Sequence, residues 1–199
     1  MNTKAFDAAR HSIEKEAQTV RLVLDGLDEA EFGRAVDMLA AAPRIMTGGC
    51  GNSGIAAKKF AHCLCCINKS GMFMPSGEAV HGGMGFIRQG DVLVLVTRGG
   101  KTGELIPMAD IARKKGAGLI VLTENGNSPL AHAADVTLLI HDIEESDPTG
   151  LMATSSFVAP VAIFDALLSA LIVETGFVGG QFGLIHPGGA VGERLNCHQ

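Results

Sequence analysis

Thr97-Arg98-Gly99-Gly100-Lys101-Thr102-Gly103-Glu104 follows the apolar run Val92 to Val96 and leads into an amphipathic segment. A buried strand ending in glycines, hydroxyls and a cation suits an anion. Glycines let backbone N–H groups come close, Thr97 and Thr102 add hydroxyl donors, and the next helix adds the partial positive charge of its N-terminus. A second unit repeats the pattern: Arg44-Ile45-Met46-Thr47 runs into Gly48-Gly49-Cys50-Gly51-Asn52-Ser53-Gly54, and Ile55 to Cys66 reads as a helix. Neither loop is a P-loop, because no Gly-Lys-Ser/Thr closes a six-residue glycine frame. The first also lacks the acidic residue a dinucleotide site places about 20 residues on. A phosphate that belongs to neither a nucleoside triphosphate nor NAD is the indicated guest. The expected donors are Gly51, Asn52 and Ser53, then Thr97, Gly99, Gly100 and Thr102, and the hydroxyl-rich Thr154-Ser155-Ser156.

The elements that position these loops follow from periodicity. Thr3 to Leu39 reads as two helices with a break near Gly26, because Ile13, Val20, Val23, Leu24 and Leu27 recur at helical spacing. Short apolar runs then come at 45–47, 70–74, 92–96, 119–123 and 136–140, separated by helical stretches or turns. Uninterrupted apolar strands alternating with helices predict a parallel sheet covered on both faces, an α/β fold. Pro107 to Lys115 reads as a crossover helix stopped by Gly116, and Asn125 to Pro129 as a turn opening a short helix. Ser155 to Glu174 is a long apolar helix, expected to be central or buried against another subunit.

At 199 residues the chain is expected to be one domain, with N-terminal helices over 1–40 and an α/β core over 41–199. A net charge of −5 leaves no basic excess for a nucleic-acid backbone. The N-terminus is charged and amphipathic rather than signal-like, and no apolar run is read as spanning a bilayer, so the expectations are cytoplasm and no membrane partner. The five cysteines, three bunched as Cys63, Cys65 and Cys66, fit neither a disulfide framework nor paired metal-ligand sets. They read as buried thiols, Cys50 as a small residue in a tight turn, and no metal or cofactor is expected.

Five segments in order carry a resemblance: the loop from Gly49 to Gly54, Gly77-Glu78-Ala79-Val80-His81-Gly82, the loop from Thr97 to Glu104, Gly150-Leu151-Met152-Ala153-Thr154-Ser155-Ser156, and His186-Pro187-Gly188-Gly189-Ala190-Val191-Gly192. From about Arg44 to Leu195 the chain resembles the sugar isomerase (SIS) domain, most closely the arabinose-5-phosphate isomerases. The resemblance implies a flavodoxin-like three-layer sandwich around five parallel strands, a homotetramer, and a phosphosugar aldose–ketose isomerase working through an enediol on an arabinose-5-phosphate/ribulose-5-phosphate type of pair. Many such proteins add two regulatory CBS modules; with Gln199 as the last residue, none is expected here. Glu145 would be the base, His186 the acid or ring-opening group, and Lys101 and His81 would complete the catalytic set, all without a cofactor. Two positions depart from the pattern: Asn52 stands where the family has Lys, and Lys101 where it has Glu. Two alternatives therefore remain, an isomerase of another acidic or phosphorylated sugar, and a non-catalytic sugar-phosphate-binding regulator. Without the resemblance, Glu145 is one member of the acidic run Asp142, Glu144, Glu145 and Asp147, while His62, His132 and His141 read as structural.

Overall fold

The computed structural model describes residues 2–141 and 143–186 together with Arg194. Two helices open the chain, α1 (Thr3–Asp25) and α2 (Glu29–Ala41). The side chain of Asn2 accepts from the N–H of Lys4, and that of Asp28 from the N–H groups of Ala30 and Glu31, so each helix starts on a side-chain cap. Gly26 ends α1, as the periodicity predicts.

The core then alternates. β1 (Ile45–Gly49), α3 (Gly51–Cys66) and β2 (Gly71–Phe73) precede the short α4 (Ser76–Ala79) and β3 (Val92–Val96). They are followed by α5 (Ile106–Lys114), β4 (Gly118–Thr123), α6 (Pro129–Ala133), β5 (Val136–Leu139), α7 (Ser155–Thr175) and α8 (Gly179–Ile185). All strand pairings are parallel, in the order β2-β1-β3-β4-β5. The five expected strands are present within a residue or two of their sequence bounds. The helix expected from Ile55 begins four residues earlier, at Gly51, so most of the first glycine loop is helix N-terminus.

β3 shows why the runs are apolar throughout. Val92, Val94 and Val96 enter one core with Phe60, Leu64, Ile163 and Phe164. Leu93 and Leu95 enter the other with Leu105, Met108 and Leu130. α2, α3 and α7 cover the first face, with α1 packed on α7, and Phe60 of α3 stacks on Phe164 of α7 at 4.3 Å between ring centroids. α5 and α6 cover the second.

α7 requires a correction. By length and composition Ser155–Thr175 is apolar enough to cross a membrane, which the reading of the apolar runs missed. Its Ala159, Ile163, Phe164, Leu167 and Leu171 are instead buried in the core, in contact with α1, α2 and α3. An interior helix passes the same test as a membrane span.

At the opposite end from the glycine loops, Arg44 holds the buried carboxylate of Asp91 with two hydrogen bonds of 3.1 and 2.6 Å, and Arg88 N–H adds a third at 2.7 Å. This clamp fixes the N-terminal ends of β1 and β3. The register sets Gly49 beside Val96 and Val96 beside Leu122, so the loops after β1, β3 and β4 emerge together. Strand order reverses between β1 and β3, the crevice where open α/β sheets bind ligands.

Candidate active site

The loop after β3 is closed from within. The hydroxyls of Thr97 and Thr102 share a hydrogen bond of 2.8 Å, and Gly100 N–H donates to Thr97 Oγ1 at 3.2 Å. Gly100 has φ +66°, and a Cβ there would lie 1.9 Å from Ser128 Oγ. Glycine is required for packing at this position. Thr97 is buried, so its hydroxyl shapes the loop, while Gly99 and Lys101 are exposed and Thr102 is half-buried.

Asn52, Ser53, Thr97, Arg98, Thr123, Glu124, Ala153 and Ser156 line one narrow cleft where the ends of β1, β3 and β4 meet the start of α7. The structure thus gathers Asn52, Ser53, Thr97 and Ser156 in one place. A wider open cleft of about 370 Å³ lies on the β2 side of the first turn of α3, lined by Gly49, Cys50, Gly51, Lys58, Ser76 and Glu104 among others. Cys50 Sγ sits 3.2 Å from Ser76 Oγ there.

Glu145 stands in the segment between β5 and α7, its side chain 4% exposed. Its Oε2 accepts from Thr154 N–H at 2.9 Å, Thr154 Oγ1 at 3.1 Å and Ser156 N–H at 3.2 Å. Thr154 makes no side-chain cap of its own to α7, so this carboxylate supplies one and meets the positive end of the helix dipole. Its Oε1 accepts from Arg98 Nη1 at 2.7 Å. Burial pushes the carboxyl toward its neutral form, but the hydrogen bonds from Ser156 and Thr154 prevail and hold its pKa below the ordinary carboxylate range. Ser155, the first residue of α7, is fully buried, and its hydroxyl has no hydrogen-bond partner among the described residues.

Among the described residues, none of the other expected catalytic residues makes a hydrogen bond or ion pair with Glu145. His81 is exposed in the turn after α4, and Lys101 is exposed on its loop. His186 closes α8, stacked on Phe182 at 3.8 Å with Nδ1 3.1 Å from the Phe182 carbonyl oxygen. Pro187 to Gly192 of its motif, and Asp142, lie outside the described residues. Sequence reasoning missed Arg98, Glu124, Lys58, Ser76 and Glu104. Arg98 and Glu104 lay within the quoted loop; nothing in one sequence brings Glu124 to the same guanidinium.

A model of the SIS domain family matches residues 38–170. The chain is 34% identical over 195 residues to the arabinose 5-phosphate isomerase KdsD of Pseudomonas aeruginosa, covering 98% of this chain and 60% of that protein. It is 31% identical over 189 residues to the arabinose 5-phosphate isomerase KpsF of Escherichia coli, covering 94% and 60%. The chain therefore spans about 60% of the length of these curated relatives. Among solved structures, a Listeria monocytogenes protein superposes with a TM-score of 0.90 at 34% identity, and a protein of E. coli CFT073 in complex with A5P with 0.88 at 30%. Each comparison covers 94% of this chain and all of the other. With five parallel strands, glycine loops at the β1/β3 switch point and a family match across most of its length, the chain belongs to the SIS domain family.

Proposed function

We propose that the chain is a phosphosugar aldose–ketose isomerase that interconverts an arabinose-5-phosphate/ribulose-5-phosphate type of pair. The carrying observation is the likeness, over 94% of this chain and the whole of its counterpart, to a structure in complex with A5P. The phosphate would lie at the loop ends, facing Gly51, Asn52 and Ser53, Gly99 to Thr102 and the start of α7.

In the forward step Glu145 takes the proton from C2 of the open-chain aldose. The C–H electrons form the C1=C2 bond of an enediol, and the C1 oxygen gains a proton from a general acid. Loss of the C2 hydroxyl proton then makes the ketone, and a proton returned to C1 completes the exchange. Glu145 is suited to this as an ionised carboxylate, with Arg98 donating to its Oε1 and the N-terminal donors of α7 holding its Oε2. His186 would supply the acid or open the ring, reaching the site from a neighbouring subunit of a homotetramer, with His81 and Lys101 assisting. The setting is cytoplasmic metabolism, with no cofactor, nucleic acid or membrane involved.

The test is turnover of arabinose 5-phosphate in deuterium oxide beside a panel of pentose, hexose and heptose phosphates. The expected result is deuterium entering the substrate C–H position, with Glu145→Gln lowering kcat by about 10²–10⁴-fold. Binding of a sugar phosphate with no exchange in either protein would replace the isomerase with a regulatory binder. Exchange with another sugar alone would assign Asn52 and Lys101 to a changed substrate.

A further inference from the structure

Arg98 sits at the end of β3 with its backbone fixed, its carbonyl accepting from Thr123 Oγ1 at 2.9 Å and Glu124 N–H at 3.0 Å. From there its guanidinium reaches three residues on two segments. Nε lies 3.0 Å from Glu124 Oε1, Nη2 donates to the Ile143 carbonyl at 3.0 Å, and Nη1 donates to Glu145 Oε1 at 2.7 Å. One planar cation therefore ties the end of β4 to the segment that carries Glu145, and two carboxylates share it.

We propose that Arg98 is the positioning residue of the proposed base, fixing where Glu145 Oε1 lies, and that Glu124, by sharing the same guanidinium, sets how strongly that cation acts on Glu145. The inference rests on the reading of Glu145 as the base. The guanidinium is planar and forked, so the contact of Nη2 to the Ile143 carbonyl fixes the direction from which Nη1 reaches Glu145, and the carboxylate cannot turn away without losing that bond. A lysine would supply the charge without the fork. Glu124 also answers to this arrangement: burial raises its pKa, Arg98 opposes the rise, and the nearby Glu145 charge adds to it.

The charged groups around Glu145 come from several elements. Arg98 follows β3 and Glu124 follows β4. On the loop itself stand Glu144, paired with Lys15 of α1, and Asp147, bound to Thr149. Ser146 brings Glu16 of α1 near through a hydrogen bond of 3.3 Å. The α7 side contributes hydroxyl and N–H donors only. Of these groups, Arg98 alone makes an ion pair with Glu145 among the described residues. Removing it must raise the carboxyl's proton affinity, and removing the Glu124 charge must lower it.

The experiment is a ¹³C NMR pH titration of protein labelled at the glutamate carboxyl carbon, with the two resonances identified by their loss in Glu145→Gln and Glu124→Gln. Beside it runs the pH profile of kcat/KM on arabinose 5-phosphate. The Glu145 midpoint is expected to rise in Arg98→Gln, to return part of the way in Arg98→Lys, and to fall in Glu124→Gln, with the acid limb of the profile moving in the same directions. Arg98→Gln should also lower kcat about 10²-fold at near-constant KM, as a misplaced reacting group does. An unmoved Glu145 midpoint in both Arg98→Lys and Glu124→Gln overturns the proposal, even if Arg98→Gln fails to fold. Should Glu145→Gln retain full turnover, the base reading falls by itself, and the midpoints still decide whether Arg98 and Glu124 tune this carboxyl.

Discussion

Gly49 and Gly54 leave no room for each other's Cβ: one added to Gly54 would lie 2.6 Å from the Gly49 carbonyl oxygen, and one added to Gly49 would lie 2.8 Å from the Ser53 carbonyl carbon. The end of β1 and the first turn of α3 touch backbone to backbone here. That contact holds Gly51, Asn52 and Ser53 at the rim of the site. Gly54→Ala is expected to cost about 1–3 kcal/mol in urea unfolding, as overpacking does. Gly77→Ala, which meets open space, should leave the midpoint almost unchanged. Equal midpoints would show that the strand–helix turn gives way freely.

The glycine loops were legible as loops, and their purpose only in part. Glycines at positions 49, 54 and 100 read from sequence as freedom for a ligand to approach; in the fold they are filled by neighbouring backbone or by Ser128. Strand runs such as Val92 to Val96 were readable because a strand buried on both faces leaves no polar position. Glu145 was legible only through the family motif, because an acidic run in one sequence looks like a solvated surface. Its burial arises from the N-terminus of α7 and from Arg98, 47 residues away. Pairings at that separation leave no periodic trace.

Lys101 tests whether the exchanged cation serves the ligand. It is exposed on the loop after β3, where the family pattern has a glutamate. Lys101→Ala is expected to weaken arabinose 5-phosphate binding by about tenfold, a loss of about 1.4 kcal/mol, in calorimetry. The control is Lys114→Ala, at the exposed end of α5. Lys115 would serve poorly, since its Nζ donates to the Met84 carbonyl at 2.9 Å. Equal affinities in the two variants would take Lys101 out of the site.

Acid stability should follow Glu145. Its folded pKa lies below that of the unfolded chain, since hydrogen bonds from Ser156 and Thr154 outweigh burial. The ionised form therefore stabilises the fold at every pH above the unfolded value of about 4.3, and that contribution is lost as pH falls through the folded pKa. Glu124 works in the opposite sense, because burial raises its pKa and its protonation relieves the cost of a buried charge. Urea unfolding from pH 7 to 3 should show Glu145→Gln less stable than the parent at pH 7, with the gap closing below about pH 4. A gap of constant size across that range would mean the folded Glu145 titrates like one in the unfolded chain.

The α1 and α7 helices leave an apolar groove of about 430 Å³, lined by Ala17, Val20, Val23, Leu24, Leu27, Ala162 and Ala166 among others. Leu24 is 61% exposed and Val20 44%, on the same side of α1. A soluble chain seldom leaves such a face open, and the proposed homotetramer would close it. Leu24→Asp places a charge on that face without entering the core, so the protomer should still fold and keep its far-ultraviolet spectrum. In sedimentation velocity the parent is expected as a tetramer and the variant as a smaller species. Because His186 packs on Phe182 and makes no hydrogen bond or ion pair with Glu145 among the described residues, the dissociated variant should lose turnover while retaining sugar-phosphate binding at the glycine loops. A parent chain that sediments as a monomer with full activity would show that one protomer holds every group the reaction uses, and His186 would then have no part in a shared site.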